Sequence, residues 1–381
     1  MLQYLQHQEI YIWGAGQRGV QLNSMLEELG IHVYAFIDNS KEKQDTTICN
    51  KKCFGIDNVF LKSNSYVLIS PVNNSGIFEQ LQKTDIDMNH VYTFETIAKE
   101  YYFSPIIEEQ DDYKYVCPFN HYESPYPDIR KIHKKEAEIF DSQKEILDIN
   151  FNIQHQFELV KKMMNIANPP WKMQKSLEYR YYYDNSWFGK GSADVLYYLL
   201  RILKPNRIIE VGSGFSTAAM LDINETIFQN RIEINSIEPY ATRLKSLLKK
   251  DDNLKIQECF LEDIPVDFFE QLQENDILFI DSSHISRINS DVNYIMFEIL
   301  PRLKKGVYIH FHDMFYPFEY PKCWIYEGRA YNEMYLLRAF LMNNNKFSIQ
   351  FFGDMLMKNY SDELNSKLQD IAGSIWIKKE V

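Results

Sequence analysis

Residues 207–217 read RIIEVGSGFST. An apolar, β-branched run through Ile208, Ile209 and Val211 leads directly into Gly212-Ser213-Gly214, and the start of a helix follows. Glycines at a strand-to-helix turn let the chain reverse tightly and bring a ligand close to the backbone, with the helix N-terminus facing it. This is the opening of a βαβ unit. A helix around Ala193–Leu203 precedes it, and further strand candidates lie at Ile232–Ile237, Leu254–Gln257, Ile277–Ile280 and Val307–Phe311. Helical stretches, including Ala241–Lys249 and Val292–Leu303, separate them. Five strands alternating with helices predict a doubly wound α/β sheet, whose ligands bind outside the carboxyl ends of the strands.

A second alternation of this kind occupies the amino-terminal part. Residues 9–13, EIYIW, run into Gly14-Ala15-Gly16-Gln17-Arg18-Gly19, and Val20, Leu22, Met25, Leu26 and Leu29 then recur at helical spacing up to Gly30. A strand over His32–Ile37 ends at Asp38, Tyr66–Ser70 reads as a buried parallel strand, and Ile77–Gln82 starts another helix. Between the two parts, acids and tyrosines at 108–115 and Pro118, Pro125 and Pro127 precede a long polar helical stretch over 128–165 that Asn168-Pro169-Pro170 stops. The expected organisation is a small Rossmann-like domain over 1–98, a linker and helical cap over 99–185, and a second α/β domain over 186–381. The fold class is thus α/β, with two doubly wound Rossmann-like sheets joined by a helical linker.

Composition narrows the function. The 381 residues exceed the roughly 100–200 of one domain, and 26 Tyr, 25 Phe and 5 Trp are far more than a disordered chain carries. A net charge of −12, with the acids spread along the chain, disfavours binding to nucleic acid. The apolar runs are too short for a membrane span, and MLQYLQHQEI lacks the pattern of a secretory leader, so a cytoplasmic protein is expected. Cys49, Cys53, Cys117, Cys259 and Cys323 are odd in number and scattered, which points to reduced thiols.

The strand ends of the second sheet hold the chemistry. Glu238, after the second strand, stands 24 residues beyond Gly214, where its carboxylate is placed for the two hydroxyls of a ribose. Asp281-Ser282-Ser283-His284 follows the fourth strand and His310-Phe311-His312-Asp313 the fifth. His284 or His312 can act as a base near neutrality. Asp281, Asp313 and an imidazole, His312 in the first instance, can alternatively hold a hard divalent ion, magnesium or manganese, that lowers the pKa of an acceptor hydroxyl. His310, the other histidine of that strand, reads as structural.

RIIEVGSGFST, LFIDSSH (278–284) and YIHFHD (308–313) together resemble the class I S-adenosylmethionine-dependent methyltransferases over about residues 190–355. The resemblance implies that Glu210, Gly212 and Gly214 contact the amino-acid and ribose parts of S-adenosylmethionine, that Glu238 holds the ribose, and that Glu262 or Asp263 lies near the adenine. It also implies His284, His312 and Asp281 as catalytic residues and a sugar or other small-molecule acceptor. Tyr179–Tyr183 and the aromatic segment 315–340 are candidates for a lid and an acceptor wall.

Gly14, Gly16 and Gly19, with Asp38 nineteen residues beyond, also fit a dinucleotide fingerprint, which makes NAD(P) one candidate ligand. The same GAGQRG, with FIDNSKEKQ, resembles the small domain found in sugar-modifying enzymes of surface-polysaccharide pathways, which implies a sugar-nucleotide ligand or a docking role. The expected activity is therefore O-methylation of a sugar or sugar-nucleotide in polysaccharide biosynthesis. The alternatives are methylation of a small aromatic or natural-product acceptor, an NAD(P)-dependent oxidoreductase, and a binding protein that keeps the donor fold.

Overall fold

The computed structural model describes residues 2–6, 8–71, 74–98, 124–252, 254–364, 368, 370, 371 and 373–381. Expectations that fall on 99–123, Cys117 among them, lie outside the described residues. The chain divides into two compact units, Met1–Val116 and Cys117–Val381.

In the first unit, β1 (Ile10–Trp13), β2 (Val33–Ile37), β3 (Thr47–Ile48), β4 (Lys51–Phe54), β5 (Tyr66–Ile69) and β6 (Val91–Thr93) form a sheet in the order β3-β4-β2-β1-β5-β6. Every pairing is parallel except β3 with β4. The alternation of β1 divides its side chains between two cores: Ile10 and Ile12 join one, Tyr11 and Trp13 the other. Both faces are covered, as a parallel sheet requires. Helix α1 (Gln17–Glu28) follows the glycine turn and buries Leu22, Met25 and Leu26, and α2 (Ser75–Leu81) follows β5.

The second unit carries β7 (Arg207–Val211), β8 (Glu233–Ile237), β9 (Lys255–Gln257), β10 (Ile277–Ile280), β11 (Tyr308–Met314), β12 (Phe347–Phe352) and β13 (Gly373–Lys379), ordered β12-β13-β11-β10-β7-β8-β9. The five strands expected from the sequence are parallel to one another, and β13 inserts antiparallel between β11 and β12. Helices α3 (Ile153–Met164), α4 (Lys190–Leu203), α5 (Phe215–Phe228), α6 (Thr242–Leu247), α7 (Glu333–Leu341) and α8 (Gly353–Asn359) flank the sheet. Both units are mixed α/β sheets of Rossmann-like form, the second with the strand arrangement of a methyltransferase fold. Among the described residues, no helix is long and apolar enough to cross a membrane.

One expected element differs. The single long helix over 128–165 is instead two short helices, Ile129–Lys134 and Glu136–Ile139, an irregular stretch, and then α3. Asp148 and Asn152 take left-handed backbone angles there, φ 61° and 52°, which interrupts helical winding. The chain then buries Ile149, Leu159, Val160 and Met163 in the core of the second unit.

Arg180 ties down the approach to the sheet. Its guanidinium is 5% exposed and pairs with the buried Asp222 at 2.9 Å, with Glu225 at 2.7 Å, and with Asp252. Asp222 also accepts from the Trp171 indole N–H and from the Arg180 and Tyr181 backbone N–H groups. The tyrosines of 179–183 are therefore held in an irregular strap rather than a helix, with Tyr182 edge-on to Phe215 at 5.4 Å.

Candidate active site

The glycine turn and the acidic strand ends meet at one point. Gly212 has φ +77°, and a Cβ placed on it would lie 1.9 Å from the carbonyl oxygen of Asp281. Only glycine permits both the backbone angle and this approach. The turn after β7 thus rests directly on the residue that ends β10.

Glu210 sits beneath the turn and is fully buried. Ser216 Oγ donates to its Oε1 at 2.6 Å, and Thr217 Oγ1 and Ser236 Oγ donate to its Oε2 at 2.5 and 2.9 Å. Burial pushes its carboxyl up to about 7, against the pull of those three hydroxyls. This differs from the direct donor contact expected of it: Glu210 braces the turn from inside. Glu238 accepts from the Ser213 backbone N–H at 2.9 Å and from that of Tyr240 at 2.8 Å, which fixes its carboxylate beside the turn at the end of β8.

Glu262 and Asp263 fall in the 3-10 turn Leu261–Asp263 after β9, half-buried and exposed respectively. Sequence reasoning passed over two aromatics nearby. Tyr240 is 74% exposed and Phe260 49%, and their rings stand edge-to-face at 6.2 Å. The signal was an aromatic residue directly after a strand-end motif, at the end where ligands bind.

Beyond Asp281, the loop turns back through His284, whose φ of +61° is a left-handed conformation. Its carbonyl accepts from the Asn332 and Glu333 backbone N–H groups at 3.0 and 3.2 Å. Its ring Nδ1 lies 2.8 Å from Oε2 of Glu333, itself 1% exposed, and Ser282 Oγ donates to Oε1 of the same glutamate at 2.9 Å. That leaves Nε2 facing the two aspartates, 3.5 Å from Asp281 Oδ1 and 3.4 Å from Asp313 Oδ2. His312 Nδ1 is 3.3 Å from Asp313 Oδ1 and 3.7 Å from Asp281 Oδ1, and among the described residues neither of its ring nitrogens has a well-aligned hydrogen bond. Asp313 reaches inward through a register shift in β11, with φ +56°.

The electrostatics follow from this packing. Burial works against ionisation of Asp281, but the imidazoles of His312 and His284 outweigh it and hold the carboxyl at about 2. For His284, burial is overcome by Asp281 and Glu333, and the imidazole is raised well above its ordinary value. His312 is raised for the same reason by Asp281 and Asp313, against burial. His310 lies on the same side of the strand as His312, with ring centroids 5.9 Å apart, and Asp281 does not offset its burial. It is 2% exposed, stacks on Phe279 at 3.8 Å and lies edge-on to Trp376 at 4.8 Å, and burial drives it well below its ordinary value.

One ligand atom from each of Asp281, His284 and Asp313 can be chosen so that all lie within 4.8 Å of one another. Two carboxylates and an imidazole fit a hard divalent cation. The imidazole in this trio is His284, where the sequence had offered His312. Of the aromatic segment 315–340, Glu333 and Asn332 turn toward the loop: Asn332 Oδ1 accepts from the Ser286 backbone N–H at 2.6 Å. Tyr331 lies 5.1 Å from the His284 ring.

In the first unit, the glycine turn closes on itself. A Cβ on Gly19 would meet the Gly14 carbonyl oxygen at 1.9 Å, and one on Gly14 would meet Ser70 Oγ at 2.4 Å. Asp38 points into this turn. Its Oδ2 accepts from the Ala15 backbone N–H at 2.8 Å and pairs with Lys43 at 3.2 Å, while Oδ1 accepts from the Ser40 N–H at 2.8 Å. Burial opposes ionisation there, but these contacts hold the carboxyl below its usual range. Asp38 thus holds this turn through the Ala15 N–H much as Glu238 holds the turn of the second unit through the Ser213 N–H.

Residues 209–314 match a family model described as "Methyltransferase domain", and residues 6–92 match one described as "C2185-like, N-terminal". An uncharacterized protein of Archaeoglobus fulgidus is 31% identical over 166 residues, which span 42% of this chain and 75% of that protein. Among solved structures, the plantazolicin methyltransferase BpumL, bound to SAH and a triazolic desmethylPZN analog, is 14% identical with a TM-score of 0.36, over 50% of this chain and 84% of its own. The Podospora anserina methyltransferase PaMTH1, bound to SAH, is 17% identical with a TM-score of 0.34, over 71% of this chain and 100% of its own. The chain belongs to one family with the Archaeoglobus protein, and its second unit carries a methyltransferase domain.

Proposed function

We propose that the chain transfers the methyl group of S-adenosylmethionine to a hydroxyl of a sugar or sugar-nucleotide, in the cytoplasm and in the service of polysaccharide biosynthesis. The observation that carries the chemistry is the contact of the Gly212 turn with Asp281, which sets the donor turn beside Asp281, His284 and Asp313. In this reading Glu238 receives the ribose hydroxyls, and the exposed faces of Tyr240 and Phe260, beside Glu262 and Asp263, receive the adenine.

The methyl sulfonium is already activated, so the protein has to align donor and acceptor and remove one proton. A magnesium or manganese ion held by Asp281, His284 and Asp313 would lower the pKa of the acceptor hydroxyl when bound. Glu333 anchors Nδ1 of His284 and thereby keeps Nε2 directed at the two carboxylates. Asp281, held ionised, orients the acceptor hydroxyl by accepting its hydrogen bond, and an imidazole, His284 or His312, takes up the proton. The strap over 179–188, locked through Arg180, restricts water on the donor side.

The acceptor class rests on the sugar-nucleotide character read into the first unit. A second reading, a small aromatic acceptor, is favoured by the ring cluster of Tyr320, Trp324 and Tyr331, with centroids 5.8–6.3 Å apart, beside His284. Incubation with S-adenosylmethionine and either nucleotide sugars or phenols, followed by mass spectrometry, separates the two. Methyl gain on the nucleotide sugars alone supports the first reading, and gain on the phenols alone replaces it. Excess chelator should abolish turnover and added magnesium or manganese restore it; full activity in chelator would remove the ion and leave His284 or His312 as the base.

A further inference from the structure

Both ends of the segment 172–179 are tied to one buried carboxylate. Asp222 accepts from the Trp171 indole N–H at 3.1 Å on one side and from the Arg180 and Tyr181 backbone N–H groups at 3.0 Å on the other. The Tyr183 and Asp184 N–H groups donate to the carbonyls of Lys172 and Met173 at 3.0 and 2.8 Å, and Gln174 Nε2 donates to Asp184 at 2.8 Å, so the loop is also braced along its side. A surface loop closed this tightly at its base holds its tip in place.

The apolar side chains it presents are bare. Leu177 is fully exposed and Met173 is 61% exposed. Lys172 and Lys175 stand between and beside them, both exposed, and residues 172–177 contain no acid. In a chain of net charge −12 this is a local reversal of sign. Lys172 makes an exposed pair with Glu178 at 3.4 Å, and Lys175 forms no ion pair among the described residues. A docked protein needs a broad face, which a projecting tip of two apolar side chains does not provide. A bilayer needs less: apolar groups that enter the boundary of headgroups and acyl chains, and cations that meet the lipid phosphates.

We propose that the loop 172–179 docks the protein reversibly on a bilayer surface rich in anionic phospholipid, with Met173 and Leu177 entering the headgroup boundary and Lys172 and Lys175 facing the phosphates. The chain's overall negative charge repels such a surface, so the contact is made through this loop and orients the molecule.

Sedimentation of the full chain with vesicles tests it, using phosphatidylcholine alone and an equal mixture of phosphatidylcholine and phosphatidylglycerol. The chain should bind the mixed vesicles, leave the phosphatidylcholine ones, and come off as added salt screens the headgroups. Leu177→Ser should weaken the binding by about tenfold, the order expected for one apolar side chain withdrawn from the boundary, and Lys175→Gln by about fivefold. Ile288→Ser removes a side chain that is 94% exposed outside the loop and should change nothing. Leu177 buries no surface in the fold, so equal thermal melts should show that its replacement leaves the structure intact. Three outcomes overturn the proposal: an unmutated chain that stays in the supernatant, equal binding to both kinds of vesicle, or binding that Leu177→Ser and Ile288→Ser change alike. A dimer in solution that Leu177→Ser dissociates also overturns it, by making the tip a contact between copies. None of these readouts involves methyl transfer, so the docking proposal and the proposed activity fail separately.

Discussion

Asp281 and Glu333 divide the work at the acidic strand ends. Asp281 is 32% exposed, whereas the buried carboxylate of Glu333 is taken up by His284 and Ser282. Asp281→Asn should therefore lower the methyl-transfer rate by at least about 100-fold, with affinity for S-adenosylhomocysteine within a few-fold. An unchanged rate in a kinetic assay would place the chemistry elsewhere. Glu333→Gln should raise the manganese concentration for half-maximal activity by about 10–100-fold, the usual effect of losing a residue that orients a metal ligand. Donor affinity should not move, which separates positioning from unfolding. Glu210 gives a pH signature. Its carboxyl lies at about 7 in the fold and near 4.5 when unfolded. Between those values the folded chain keeps a proton that the unfolded chain has lost, so this residue's contribution to stability is present below 4.5 and fades as pH rises through about 7. The effect is on the order of 3 kcal/mol. Urea unfolding at pH 5 and 8 should show a smaller drop for Glu210→Gln than for the unmutated chain.

At the scale of elements, the two glycine turns look alike in sequence and differ in what they permit. In the first unit Gly14 and Gly19 are fixed by contacts with Ser70 and with each other, while a Cβ on Gly16 would come no closer than 4.0 Å, to Lys43 Nζ. Gly19→Ala should destabilise this unit by more than about 2 kcal/mol, and Gly16→Ala by less than about 0.5 kcal/mol, as read from thermal melts. β7 and β10 were fully legible, because an apolar run buried on both faces and bounded by polar turns announces itself. The helical stretch at 128–165 was not, because Asp148 and Asn152 break it through backbone angles that periodicity does not report. Nor was the insertion of β13 between β11 and β12, which depends on pairings across about 25 to 70 residues of chain. Glu333 escaped for the same reason: it meets His284 from 49 residues away. The strand-end residues were visible because topology alone places them together.

For the whole molecule, the heaviest electrostatic commitment is Arg180. Replacing it by Met would leave Asp222 and Asp252, 2% and 7% exposed, without their cation. A loss of about 3–5 kcal/mol is expected. Because the two units have separate cores, calorimetric unfolding should show the loss in the transition of the second unit alone, and a shift of both would mean that the units unfold together. The contact between Gly212 and the Asp281 carbonyl bears on how this protein can change. Residue 212 is a shared abutment: anything larger than hydrogen there pushes the turn away from β10 and displaces the strand ends on both sides of it at once. Variation elsewhere on these strand ends can alter one contact at a time, but the spacing between β7 and β10 is gauged by a single missing methyl group.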